Sequence, residues 1–148
     1  MSSELRDKKS FEDLLVWQKA VNFSVDIYAI TKAFPADEKF GLTSQLRRAA
    51  VSIASNIAEG STRGANEFVH FLNIARGSLS EVKTQLIIAD KIGYIQAKQL
   101  EEMIKKLDEL SRMSAGLKQS LSINKPQNGK LGTHNSELGT QSWHTAKK

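Results

Sequence analysis

Apolar residues recur along this chain at alternating three- and four-residue steps, the period that sets one face of an α-helix against a core. The pattern is clearest from Gly41 to Gly60, where Leu42, Leu46, Ala49, Ile53 and Asn56 share one face and Ala50, Ala54 and Ala58 add a row beside it. Rows of alanine let a neighbouring backbone approach closely. After Ser61-Thr62-Arg63-Gly64, the period resumes on Phe68, Phe71, Leu72, Ala75, Leu79, Val82, Leu86 and Ala89 and ends near Gly93. The two stretches form an antiparallel helical hairpin. Upstream, a helix from about Phe11 to Ala33 is stopped by Phe34-Pro35, since proline lacks the backbone donor and biases its predecessor away from helix. The second helix then begins between Asp37 and Leu42. A fourth, amphipathic helix spans about Gln96 to Leu121 on Leu100, Met103, Ile104, Leu107, Leu110, Met113, Ala115 and Leu117. The fold class is all-α, an antiparallel up-down-up-down four-helix bundle.

Two finer expectations follow from the hairpin. Gly60 stands where the period stops, so it is expected as the C′ residue in the left-handed conformation that helix ends commonly require. With the turn centred near Thr62, residues at equal height have numbers adding to about 124, which sets Arg48 level with Arg76.

Helix one carries more apolar surface than one bundle seam needs. Leu14, Trp17, Val21 and Tyr28 make one stripe; Val16, Phe23, Ile27 and Ile30 make another roughly 120° around. On helix three, Val69, Ile74, Ile87 and Ile88 fall off the core arc. Such surplus either widens the core or marks a subunit interface, because a soluble monomer seldom exposes a large apolar patch. An interface on Val16, Phe23, Ile27, Ile30, Ile74 and Ile88 is the expectation once the resemblance given below is weighed.

With 148 residues, 40% apolar and 25% charged, the chain suits one soluble domain. No stretch approaches the ~18 consecutive apolar residues of a membrane span, and the amino terminus lacks the apolar core of a secretory signal. Cysteine is absent, which excludes disulfides and thiolate chemistry and fits a cytoplasmic setting. Residues 1–10 read as a flexible N-terminus, 11–121 as the bundle, and 122–148 as a disordered basic tail.

The net charge of +5 is unevenly placed. Beyond Ile123, Lys125, Lys130, Lys147 and Lys148 stand against Glu137. Within the body, Lys39, Arg47, Arg48, Arg63, Arg76 and Lys83 face Glu59, Glu67 and Glu81, so the body's excess is local to the hairpin. Local clustering is what phosphate binding requires, since counterions are released only where the cations sit. Arg47, Arg48, Arg63, Arg76 and Lys83 are therefore the candidate nucleic-acid-binding residues. Two arginines at one level repel unless an anion lies between them. Glu81, a neighbouring subunit's carboxylate, or phosphate would serve.

Catalytic readings fail on their own requirements. Glu67-Phe-Val-His70 has the spacing of carboxylate-bridged di-iron bundles, but that chemistry needs a second copy and two more core glutamates. His134 and His144 lack metal-ligand spacing. No phosphate-binding loop or nucleophile elbow is present, and Ser44, Ser52, Ser55 and Ser78 lie inside helices as small packing residues. No catalytic residue, metal or cofactor is expected. Asn56, Glu59 and Glu81, the polar residues closest to core faces, are expected to satisfy one another, a helix end or an arginine.

The run GLTSQLRRAAVSIASNIAEG, the upstream FEDLLVWQKA and FPADEKFG, and the downstream FLNIARGSLSEVKTQL together resemble the four-helix-bundle family of 23S rRNA intervening-sequence proteins. That bacterial family is similar to the accessory variability determinant proteins of diversity-generating retroelements. The resemblance covers about Phe11 to Leu121. It departs at Ala65-Asn66-Glu67, where a further basic residue is expected, and in the tail beyond Ile123. It implies a ring-like homo-oligomer, a pentamer, with a basic surface suited to RNA or DNA and a reverse transcriptase as a partner. The expectation is thus a non-enzymatic nucleic-acid-associated accessory or scaffold protein. The alternative is a protein-only assembly module whose arginines form the subunit contacts.

Overall fold

The computed structural model describes residues 10–123, and the expectations for the N-terminus and the tail lie outside them. Four helices form the bundle: α1 (Leu15–Thr31), α2 (Leu42–Ser61), α3 (Ala65–Lys91) and α4 (Ala97–Ile123). Consecutive helices pack side by side, α4 closes back on α1, and among the described residues no diagonal pair of backbones comes close, which is the up-down-up-down arrangement.

Each boundary has a local cause. The first apolar residues do not join α1. Phe11–Asp13 form a 3-10 turn capped by Ser10, and Leu14 is extended, so the α-helix begins at Leu15. Phe11 then packs edge-on against Trp17 at 5.1 Å. At the far end Thr31 closes α1 ahead of Phe34-Pro35. The start of α2 is capped from outside the helix: the Glu38 carboxylate accepts from the Leu42 N–H at 2.8 Å. Tyr94 donates to the same carboxylate at 3.2 Å while its ring packs against Phe34, tying the α1–α2 connection to the α3–α4 connection.

The left-handed glycine is Gly93, with φ of 84°, and not Gly60. Tyr94 N–H bonds back to Ala89 and Gly93 N–H to Asp90, the paired bonds of a Schellman cap. Gly60 is instead a buried member of α2. A Cβ there would lie 2.7 Å from Phe71 Cβ and 2.9 Å from Phe68 Cδ1. Glycine is required at Gly60 by the close approach of α3.

The core runs along the whole bundle. Leu46, Ala49, Ala50, Ile53, Ala54 and Ile57 of α2 meet Phe68, Leu72, Ala75, Leu79, Val82 and Leu86 of α3, and α1 and α4 add Phe23, Ile27, Met103, Leu107 and Leu110. Ala115, expected among the apolar contacts of α4, is exposed; Ser114 takes the buried position beside it.

Three expected interface residues belong to this core. Val16, Phe23 and Ile27 are 5%, 1% and 0% exposed, and Ile30 packs half-buried against them. The stripe assigned to another subunit is the one that fills the bundle. The other stripe, with Trp17, Val21 and Tyr28, lines the surface. Periodicity gives the angle between two stripes on a helix, but not which of them faces the partner helices.

Candidate nucleic-acid interface

Two contacts fix the register of α2 against α3. Ser52 and Ser78 share a hydrogen bond of 2.9 Å, and Gln85 reaches Gln45 at 3.4 Å, so equal heights fall at numbers adding to 130 rather than 124. Arg48 is therefore level with Val82, about 9 Å from the height first assigned to its partner. The offset arises because the first turn of α3 is level with the connection itself, and Gly60 already meets Phe68 and Phe71. Arg76 also points elsewhere: it lies about 160° around α3 from Ser78, away from the α2 seam. Arg48 and Arg76 do not form a pair.

The five candidate cations separate into four environments. Arg47 turns toward α1, where its Nε donates to Thr31 Oγ1 at 2.9 Å and its guanidinium stacks 4.5 Å from the Tyr28 ring. Arg63 sits at the hairpin turn between Glu59 at 2.6 Å and Glu67 at 3.3 Å, and over the Phe71 ring. The hydrogen bond and charge of Glu59, with the charge of Glu67, hold the Arg63 pKa above its ordinary value. Arg48 is exposed on the outer face of α2, with no ion pair among the described residues. Arg76 and Lys83 lie two turns apart on α3, facing α4. Glu67 pairs with Arg63 at the surface, and His70 is exposed. Among the described residues no group of three or more His, Cys, Asp or Glu could hold a metal.

The other polar residues singled out are absorbed locally. Asn56 donates to the Ser52 carbonyl and hydroxyl, so Asn56, Ser52 and Ser78 form a small polar ladder between the alanine rows. Glu59 takes Arg63. Glu81 is exposed rather than core-facing and is not a counter-ion to any arginine in a salt bridge among the described residues.

What the tertiary structure assembles is a groove between α3 and α4, made of two hollows of about 440 and 300 Å³ that share Arg76, Leu79 and Ser111. Its floor is Leu72, Leu79 and Ser114; its walls carry Arg76, Ser80 and Lys83 from α3 and Ser111, Ala115 and Lys118 from α4. The cleft exists because α4 presents small residues here, Ser111, Ser114 and Ala115, which cannot fill the space against α3. Lys118 is held over the lower end by Asn73 Oδ1 at 2.9 Å. Asp108 is the acidic residue of the lining, at the upper end near Lys83. Sequence reasoning missed Lys118 and the serines because it placed the polar side chains of α4 on a solvated face. The signal present was the change from long to small side chains after Leu110.

A second surface has the opposite chemistry. Between α1 and α2, Phe11, Trp17, Val21, Val25, Tyr28, Val51, Ala54 and Ala58 line an open apolar groove of about 650 Å³. Val25, Tyr28 and Val51 are each more than two-fifths exposed. On α3, Ile74 and Ile88 are also exposed. No helix among the described residues is long and apolar enough to cross a membrane.

Fold and surface define a four-helix bundle of the up-down-up-down class, with an apolar face on one pair of helices and a basic cleft on another. The family model of the 23S rRNA-intervening sequence protein matches residues 12–116, and the chain belongs to that family. A crystal structure from Bacteroides thetaiotaomicron VPI-5482, described as a protein with unknown function from the S23 ribosomal protein family, shares the fold. It has 24% sequence identity and a TM-score of 0.63, covering 70% of this chain and 98% of that one. No curated protein matches.

Proposed function

We propose that this protein is a non-enzymatic, nucleic-acid-associated accessory or scaffold protein, acting as a homo-oligomer that holds RNA or DNA by its phosphates. The observation that carries the reading is the segregation of its surface chemistry. Apolar area gathers on the α1–α2 groove, while Arg76, Lys83 and Lys118 gather on the α3–α4 groove. The first suits a second copy of the chain, because a broad exposed apolar patch is retained where it is covered. The second suits a polyanion, and symmetry in an oligomer multiplies a modest charge per subunit into a strong field. Five subunits and a reverse transcriptase partner are what the resemblance to retroelement accessory proteins adds to this proposal.

The protein-only alternative, with arginines as subunit staples, is weakened by two of its members. Arg47 and Arg63 already serve contacts inside the bundle. Fluorescence anisotropy of labelled RNA and DNA against the full chain, over a salt series, tests the proposal. Affinity is expected to fall steeply with salt, because each phosphate neutralised releases counterions. Absence of binding to either polymer at about 50 mM salt, where such contacts are strong, would overturn it.

A further inference from the structure

We infer that the α3–α4 groove binds one nucleic-acid strand lengthwise by its phosphodiester backbone, without reading sequence and in preference to duplex. The inference rests on the nucleic-acid reading above and names its site and its substrate form.

Three observations support it. The cations form a line along the groove. Lys118 is level with Asn73, to which it bonds, so Lys118, Arg76 and Lys83 succeed one another over about 15 Å of helix rise. A run of that length is nearly half of a duplex turn of about 34 Å, over which either backbone of a duplex swings out of a straight cleft. A single strand bends to follow it. The cleft is also narrow, because packed helices stand only about 8–10 Å apart.

The second observation is the row of hydroxyls beside the cations. Ser114 is 6% exposed, lies on the groove floor, and its Oγ makes no hydrogen bond among the described residues. That oxygen is enclosed beneath the lining, so the hydroxyls a strand can reach are those at the groove's rim. Ser80 and Ser111 line the same path, and hydroxyls with Arg and Lys are the donors that position a backbone.

Third, among the described residues the lining contains no aromatic side chain. Single-strand binders that grip bases do so by stacking on aromatic rings, so a groove without them holds phosphates and leaves the bases outside. Asp108 at the upper end opposes the strand there and limits its reach.

The experiment is an anisotropy titration of the full chain with labelled single-stranded RNA, single-stranded DNA and duplex DNA between 50 and 200 mM salt. With three phosphates neutralised per groove, single-strand affinity is expected to drop about 20-fold over that range, from a slope near 0.7 per phosphate. The triple variant Arg76→Gln, Lys83→Gln, Lys118→Gln is expected to flatten the slope by about 2. Ser111→Glu, which sets a carboxylate mid-groove at an exposed position, is expected to weaken binding, and Asp108→Asn to strengthen it. Lys98→Gln, an exposed change outside the groove, leaves both slope and affinity unchanged. Melting by circular dichroism confirms that each variant is folded. If the wild-type chain binds and both the triple variant and Ser111→Glu bind equally well, the groove is wrong while the nucleic-acid reading stands. Tighter binding to duplex than to single strands overturns the strand preference and the lengthwise mode. No binding by the wild-type chain overturns the underlying reading itself.

Discussion

The hydroxyls of Ser52 and Ser78 meet 2.9 Å apart across the α2–α3 seam, and this contact requires the two helices to lie close together. Small residues on both sides, Ala49, Ala75 and Ser78 among them, make that approach possible. Ser78→Leu is therefore expected to overpack the seam and cost about 1–3 kcal/mol. The double change Ser52→Ala, Ser78→Ala removes both partners together and is expected to cost less than about 1 kcal/mol, since Asn56 keeps its bond to the Ser52 carbonyl and no group is left unsatisfied. Urea unfolding midpoints distinguish the two. Equal losses would mean the seam is not held at this spacing.

Gly60 and Gly77 should respond oppositely to the same substitution. Gly60→Ala places a Cβ against Phe71 and Phe68, and about 1–3 kcal/mol of destabilisation is expected. Gly77 lies inside α3 with nothing within 4 Å of an added Cβ, so Gly77→Ala is expected to stabilise by about 0.5–1 kcal/mol. Thermal melting reads both, at about 3–5 °C per kcal/mol for a domain of this size. A Gly60→Ala protein that melts at or above the wild-type temperature would contradict the close approach.

Phe23 belongs to the core and Val25 to the surface, although both lie on α1. Phe23→Ala is expected to cost about 3–5 kcal/mol of folding stability by leaving a cavity among α1, α2 and α4. Val25→Glu is expected to leave the melting of the subunit within about 0.5 kcal/mol, as an exposed change. It should instead disturb association through the α1–α2 groove. Light scattering alongside circular dichroism separates the effects. A Val25→Glu protein of unchanged mass would remove that groove from the oligomer contact.

The Tyr94 hydroxyl gives the fold an alkaline limit. Burial, and then the Glu38 carboxylate beside it, raise its pKa above the ordinary tyrosine value. The unfolded chain therefore loses this proton first as pH rises past about 10. Across the interval up to the folded pKa the native state holds more protons than the unfolded one, so stability falls with pH. Tyr94→Phe is expected to be less stable than wild type at pH 7, having lost the bond to Glu38, and the gap should close above pH 10. Melting temperatures of both proteins from pH 7 to 11 check this; a constant gap would show that Tyr94 does not titrate with folding.

The sequence by itself determined the elements of this protein. Apolar period, Pro35 and the change of composition at each connection located four helices, because those signals act within a few residues along one chain. The pairing of α2 with α3 was legible for the same reason: their small-residue faces are adjacent in sequence and joined by a short turn. What the sequence left open is everything set by one helix's rotation and height against another. Which stripe of α1 turns inward depends on where α2 and α4 stand. Gly60 and Gly93 are both glycines near the end of a period, and only the approach of Phe68 and Phe71 shows that the first relieves a clash while the second takes a positive φ. The basic cluster changed most. Its members were grouped by position along the chain, whereas charges choose partners through space, so Arg63 went to two glutamates, Arg47 to Tyr28 and Thr31, and Arg76 and Lys83 gained Lys118 from a helix more than thirty residues away in sequence.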